Sequence, residues 1–179
     1  MFLLVGNSGS GKDSILAWAK EHWKCTKKEL LVAQRYITRP ASPETEKFVS
    51  VSTEEFEKMD ENGDFLLKWI SYDIHYGVKA DILEDLNKGN LVIVNVSRQI
   101  IDNTRKRFPG TKVIFLQVPI NTIVKRIHDR GRETDEQLQA RIQRAKENET
   151  LPGADCIIVN TGTIEDGGQK LLTYLSSFC

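Results

Sequence analysis

Gly6-Asn7-Ser8-Gly9-Ser10-Gly11-Lys12-Asp13-Ser14 follows the apolar run Phe2-Leu3-Leu4-Val5 and leads into Ile15-Leu16-Ala17-Trp18-Ala19, whose spacing is helical. The pattern reads as a phosphate-binding loop between a strand and a helix. Gly6, Gly9 and Gly11 allow backbone conformations closed to residues with a side chain, so that successive N–H groups, including those of Asn7, Ser8 and Ser10, can converge on phosphate oxygens. The helix beginning near Lys12 adds its positive N-terminal end, and the Lys12 ammonium is long enough to reach the outer phosphates. One position departs from the usual motif. The residue after the lysine is normally Ser or Thr, whose hydroxyl serves Mg²⁺, and here it is Asp13 with Ser14 behind it. A carboxylate is also a hard oxygen ligand, so Asp13 and Ser14 are the candidate metal ligands, Asp13 acting directly or through water.

A chain of 179 residues is long enough for one good core and short for two, so a single domain is expected. The 25 Lys and Arg balance 25 Asp and Glu, which argues against a general affinity for nucleic acid or acidic membrane. Cys25, Cys156 and Cys179 are widely spaced and show no metal-ligand pattern, which predicts unpaired thiols in a reducing compartment. The N-terminal apolar run is short, lacks a basic leader and breaks into the glycine loop, unlike a signal peptide. No stretch approaches the roughly 18 apolar residues of a membrane helix. A cytoplasmic protein is the expectation.

Downstream, Leu30-Leu31-Val32-Ala33 reads as a second strand running out through Gln34 to Pro40, and residues 41–47 as a loop. Phe48 to Val51 predicts a short strand. Ser52-Thr53-Glu54-Glu55 has the capping-box spacing, so a helix is expected to about Asp60. Phe65 to Ile70 is a strand, Tyr76-Gly77-Val78 closes this region, and a helix is expected over Lys79 to Asn87 with Gly89 ending it. From Leu91 the alternation is regular: strands at 91–96, 113–118 and 156–160, helices at 100–108, 121–129, 135–148 and 163–176. Near-continuous apolar strands alternating with helices indicate an α/β fold, a parallel five-stranded sheet covered on both faces. Its ligand should lie at the carboxyl ends of the strands, where the Gly6–Lys12 loop meets the segments after Asn95 and Val118.

The neutral chain hides a basic half. Between Asn95 and Lys146 stand twelve Lys and Arg against five acids. Arg126 and Arg130, four apart, share a helix face, Gly131 and Arg132 make a turn, and Arg141 and Arg144 lie on the next helix. Planar, permanently charged guanidinium groups that donate in pairs suit phosphate oxygens. Such a cluster opposite a phosphate loop is what phosphoryl transfer requires, because stabilising spread charge is most of that catalysis. Arg35 and Arg39, flanking Tyr36 and Thr38, suit either a second phosphate or an ordinary surface. Arg98 follows a buried strand and points to the crevice. The histidines are scattered, and the tryptophans read as core.

Together the loop Gly6 to Ser14, Thr38-Arg39, Tyr76-Gly77, Arg126-x3-Arg130-Gly131 and Arg141 resemble the guanylate kinase group of P-loop kinases, over nearly the whole chain. The resemblance implies a nucleoside monophosphate kinase-like core (1–34 and 77–179), an acceptor-binding insert at about 35–76 and an arginine-bearing lid at about 126–144. By resemblance, Lys12 holds the β and γ phosphates, and Arg126, Arg130 and Arg141 contact the transferring group. Where guanylate kinases read guanine with the glutamate of a Phe-Leu-Glu string, this chain has Phe65-Leu66-Leu67. A leucine accepts no hydrogen bond from a guanine edge, so GMP is disfavoured.

These departures, with Gly11-Lys12-Asp13-Ser14, Arg35 to Arg39, Asn95-Val96-Ser97-Arg98 and Arg130-Gly131-Arg132-Glu133, resemble the ribose 1,5-bisphosphate phosphokinases of phosphonate catabolism. That resemblance implies Mg²⁺-dependent transfer of the ATP γ-phosphoryl to ribose 1,5-bisphosphate, with small-molecule partners only. Arg35, Arg39, Tyr76, Arg98 and Arg132 are the candidate acceptor contacts. Two alternatives stand beside it: a nucleoside monophosphate kinase with an unusual acceptor, and a guanylate-kinase-like binding module without catalysis. Intact Lys12 and the full set of lid arginines speak against the second.

Overall fold

The regular strands of the sequence form one sheet and the residues between them a second. A computed structural model describes residues 1–40, 48–130 and 135–179, with side chains at all of these except 127–130 and 135–138. In chain order the first half comprises β1 (Phe2–Val5), α1 (Lys12–Glu21), β2 (Leu30–Val32), β3 (Arg35–Ile37), β4 (Val49–Ser50), α2 (Thr53–Glu61), β5 (Phe65–Ser71), β6 (Ile74–Lys79) and α3 (Ile82–Asn87). The second half comprises β7 (Leu91–Asn95), a 3₁₀ turn (Arg98–Ile100), α4 (Ile101–Arg107), β8 (Lys112–Gln117), α5 (Ile120–Arg130), α6 (Asp135–Glu147), β9 (Cys156–Val159) and α7 (Ile164–Ser176).

The first sheet is wholly parallel in the order β2-β7-β1-β8-β9, the α/β architecture expected. The central strands β7, β1 and β8 read as continuous apolar runs because both faces are buried, whereas edge strand β9 leaves Ile157 and Val159 exposed. Phe2, Leu4, Ile93, Ile114 and Leu116 pack with Ile15 and Leu16 of α1 and Leu171 and Leu175 of α7. Their neighbours Leu3, Val5, Val92, Val94, Val113 and Phe115 face the other way, against Ile82 and Ile101.

Leu66, Leu67, Trp69 and Val78 of the second sheet join that second cluster, so the insert shares the core of the molecule. The second sheet has the order β4-β3-β6-β5, with β3 and β5 antiparallel to β6. Here three expectations need correction. The run from Leu30 divides, β2 staying in the parallel sheet while Arg35–Ile37 crosses to the other as β3. Ile74–Lys79 is a full strand, where only a closing Tyr76-Gly77-Val78 was read, and the following helix starts at Ile82. The cysteines are not all free: Cys25 and Cys179, 154 positions apart, form a disulfide and leave Cys156 unpaired. Spacing carried no sign of this pairing; Tyr174 and Phe178, in the same C-terminal segment as Cys179, pack on Phe2.

The capping box of α2 is present, Ser52 accepting from the Glu55 N–H and Glu55 from that of Ser52. Thr163 and Asp166 make a second at α7. No helix among the described residues is long and apolar enough to cross a membrane.

Candidate active site

The loop joining β1 to α1 lies at the carboxyl end of the central strand. Gly11 takes a left-handed conformation, φ 88°, and serves as N-cap of α1, where no side chain makes a cap hydrogen bond. A helix end left in this way is an anion site by backbone donors and dipole together. Gly6 is required by space: a Cβ there would stand 2.8 Å from Leu116 O and 2.9 Å from Ser10 Oγ. The Lys12 ammonium folds over the loop, donating to Gly6 O at 2.6 Å and Asn7 O at 3.0 Å.

Two arginines reach this loop from the α5 and α6 helices. Arg126 Nη1 lies 3.5 Å from both Gly9 O and Ser10 O. Arg141 Nη1 donates to Ser8 Oγ at 3.0 Å. Lys12, Arg126 and Arg141 therefore surround one loop, although 129 positions of sequence separate the first from the last. Arg130 ends α5, and its side chain, like Gly131 and Arg132 altogether, lies outside the described residues.

Asp13 has a definite task. Its Oδ1 accepts from Arg35 Nη2 at 2.7 Å and from Asn95 Nδ2 at 2.8 Å. Arg35 is buried, 8% exposed, and the ion pair balances its charge. The pairing also balances the carboxylate, which would otherwise offset the positive end of α1. Ser14, one residue on, is exposed in the first turn of α1.

The other candidate acceptor contacts divide. Arg98 is turned towards backbone, donating to Asn148 O at 2.8 Å and Thr150 O at 3.1 Å just beyond α6. Burial, and then the charge of Arg144, lower its pKa. Arg39, two residues beyond β3, lies over the Phe48 ring at 5.0 Å, and Tyr76 of β6 stacks on Trp69 of β5 with centroids 5.2 Å apart. Leu67 is 4% exposed within the shared core, an environment with no place for a group that reads a purine edge.

Two contributors, Asn160 and Asn95, escaped the sequence reading, and Asn7, read there as a loop amide, has a further role. Asn160 is buried and donates Nδ2 to Ser10 O at 2.9 Å. Asn95 fixes Asp13. Both stand at the carboxyl ends of strands, Asn95 closing β7 and Asn160 following β9, and that placement was the available signal. Asn7 donates Nδ2 to Ala145 O at 3.1 Å and Asn148 O at 3.2 Å, so the loop grips the end of α6 as well as offering its amides. Among the described residues, His22 is stacked on Trp18 and His75 lies against Phe56.

A parallel sheet with a glycine loop at its central strand, a lysine across that loop and arginines closing on it defines a P-loop kinase. The chain belongs to the guanylate kinase family, whose model matches residues 1–178. It is 34% identical over 176 residues to a ribose 1,5-bisphosphate phosphokinase of Thiobacillus denitrificans, covering 98% of this chain and 92% of the relative. A ribose 1,5-bisphosphate phosphokinase of Pectobacterium parmentieri is 37% identical over 161 residues, covering 89% and 84%. The guanylate kinase of Anaplasma phagocytophilum has the same fold, with TM-score 0.72 at 20% identity, covering 99% of this chain and 84% of that one.

Proposed function

We propose that this kinase transfers the γ-phosphoryl group of ATP to the 1-phosphate of ribose 1,5-bisphosphate, giving 5-phospho-α-D-ribosyl 1-diphosphate and ADP, in phosphonate catabolism. The observation that carries the reading is the convergence of Lys12, Arg126 and Arg141 on an uncapped α1 loop, together with the burial of Leu67 where a purine acceptor would be read. The relatives named for this activity supply the acceptor.

An acceptor phosphate oxygen is already ionised at neutral pH. It attacks the γ-phosphorus, the bond to the β-bridging oxygen breaks, and no general base is needed. The protein has to align the two phosphates and balance their charge. The loop amides of Gly6 to Lys12 hold the nucleotide phosphates, Lys12 bridges the outer two, and Arg126, Arg130 and Arg141 stabilise charge on the group in flight. Arg39, Tyr76 and Arg132 hold the acceptor. Arg35 acts through Asp13 and Arg98 through α6, beside any contact they make with it.

Among the described residues no cluster of three or more His, Cys, Asp or Glu could hold a metal. That fits Mg²⁺, which is commonly held by substrate phosphates and water with one or two protein oxygens. Asp13 and Ser14 would hold it here, and it would supply positive charge against the phosphates. We place the reaction in the cytoplasm. In that compartment glutathione and thioredoxin would act to reduce the Cys25–Cys179 disulfide.

The test is ADP formation from Mg-ATP with ribose 1,5-bisphosphate, GMP or no acceptor, identifying the product by mass. Turnover with the ribose bisphosphate alone is expected. Turnover with GMP instead would overturn the reading.

A further inference from the structure

The hairpin between β5 and β6 pairs Ser71 with Ile74 and turns through two residues, Tyr72 and Asp73, at φ 53° and 58°. They are the non-glycine residues with positive φ among the described residues. Tight hairpins of this kind select Asn, Asp or Gly at both positions, and a bulky residue there is an outlier. Core packing does not explain Tyr72, which is 45% exposed.

Its ring instead meets α6. Arg144 Cζ lies 4.6 Å and Arg141 Cζ 5.7 Å from the ring centroid. Arg141 is also the residue that donates to Ser8 of the phosphate loop. Both partners are braced from behind. On the hairpin side, Gln99 Nε2 donates to Ile70 O at 2.6 Å and Arg107 Nη1 to Leu66 O at 2.9 Å. On the helix side, Asn7 and Arg98 hold the carbonyls at the end of α6.

Two guanidinium groups side by side repel, and a third, Arg98, is close enough to feel Arg144. A carboxylate would gather them but cancel the charge that phosphates require. An aromatic face attracts cations while leaving their charge intact.

We propose that Tyr72 is a positioning residue that clasps the second sheet to α6 and holds Arg141 against the phosphate loop. Resting on the activity proposed above, this makes filling of the acceptor side and ordering of the phosphate-contacting arginine one event. The strained turn is retained because its ring is needed, not because its backbone is favoured.

The test compares Tyr72→Gly and Tyr72→Phe, alone and with Arg141→Ala. Glycine suits the left-handed turn, so Tyr72→Gly should keep or raise the thermal midpoint while lowering kcat about tenfold, with KM for ATP little changed. Tyr72→Phe should rescue kcat to within about twofold, because the ring face is what binds the cations. In the Arg141→Ala background, Tyr72→Gly should cost nothing further. Full kcat in Tyr72→Gly, or losses that simply multiply, would overturn the clasp. A second readout does not depend on the acceptor: amide exchange at residues 71–74 should slow when a non-hydrolysable ATP analogue binds, and this slowing should vanish in Arg141→Ala. If the wild-type protein fails to phosphorylate ribose 1,5-bisphosphate, the activity falls, but the exchange result still decides the clasp. Exchange that ignores nucleotide in the wild type would overturn it.

Discussion

Asp13 Oδ1 is shared by Arg35 Nη2 at 2.7 Å and Asn95 Nδ2 at 2.8 Å, so the residue that replaces the loop hydroxyl ties α1 to β3 of the second sheet and β7 of the first. The acidic departure from the usual motif is thus part of a network that includes Arg35, the first residue of β3. It also confines whatever Asp13 does for a metal to a carboxylate already half engaged.

Replacing Asp13 by serine separates these roles. Asp13→Ser restores the common motif but leaves the Arg35 guanidinium buried without its carboxylate. Charge-assisted bonds of this kind are worth about 1.5–3 kcal/mol each, so a stability loss of roughly 2–3 kcal/mol is expected. Urea unfolding measures it. An unchanged midpoint would mean that Asp13 serves the metal alone.

Lys12→Ala should lower kcat by about 10²–10³ while leaving the fold intact, since it removes a preorganised cation from the transferring group. Steady-state kinetics alongside circular dichroism checks this. Near-normal turnover would remove Lys12 from the chemistry.

Installing the purine-reading glutamate should not make a guanylate kinase. Leu67→Glu would place a carboxyl among Leu66, Trp69 and Val78 in the shared core. Burial without a partner costs several kcal/mol or forces the group to stay protonated. The expected outcome is a thermal midpoint lowered by more than about 5 °C and no GMP turnover. A stable variant with GMP activity would show that this strand can expose position 67.

Asp155 makes stability acid-sensitive. Burial pushes its carboxyl up, but the Val113 N–H, Arg105 at 2.6 Å and Lys112 at 3.3 Å outweigh it, and its pKa lies below the ordinary value. A depressed folded-state pKa gives stability that is fully present above the unfolded value and lost as pH falls through the folded one. Unfolding free energy of the wild type should therefore fall more steeply than that of Asp155→Asn below about pH 4. Above that range the variant should be less stable by about 1 kcal/mol. Parallel slopes below pH 4 would refute the assignment.

What could be read in the chain was local. The Gly6–Lys12 loop, five apolar strands and the Ser52–Glu55 capping box are encoded in residues a few positions apart, and each took its expected place. Even the sheet follows from local pattern, because continuous apolar strands require cover on both faces. The hairpin was missed for a local reason too, since Tyr72-Asp73 lacks the Asn-Gly or Asp-Gly that announces a tight turn.

The sequence alone determined the class of fold and the phosphate loop, and its departure from the guanylate kinase string at Leu67 spoke against GMP as acceptor. Only the tertiary structure decided the partners: that Arg35 holds Asp13, that Arg98 holds Asn148 and Thr150, that Asn160 supports Ser10 and that Cys25 meets Cys179. Backbone preference and hydrophobic period act over a few residues and leave their mark in sequence. An arginine or a cysteine carries no mark of the group it will meet, because that meeting is set by how distant elements pack.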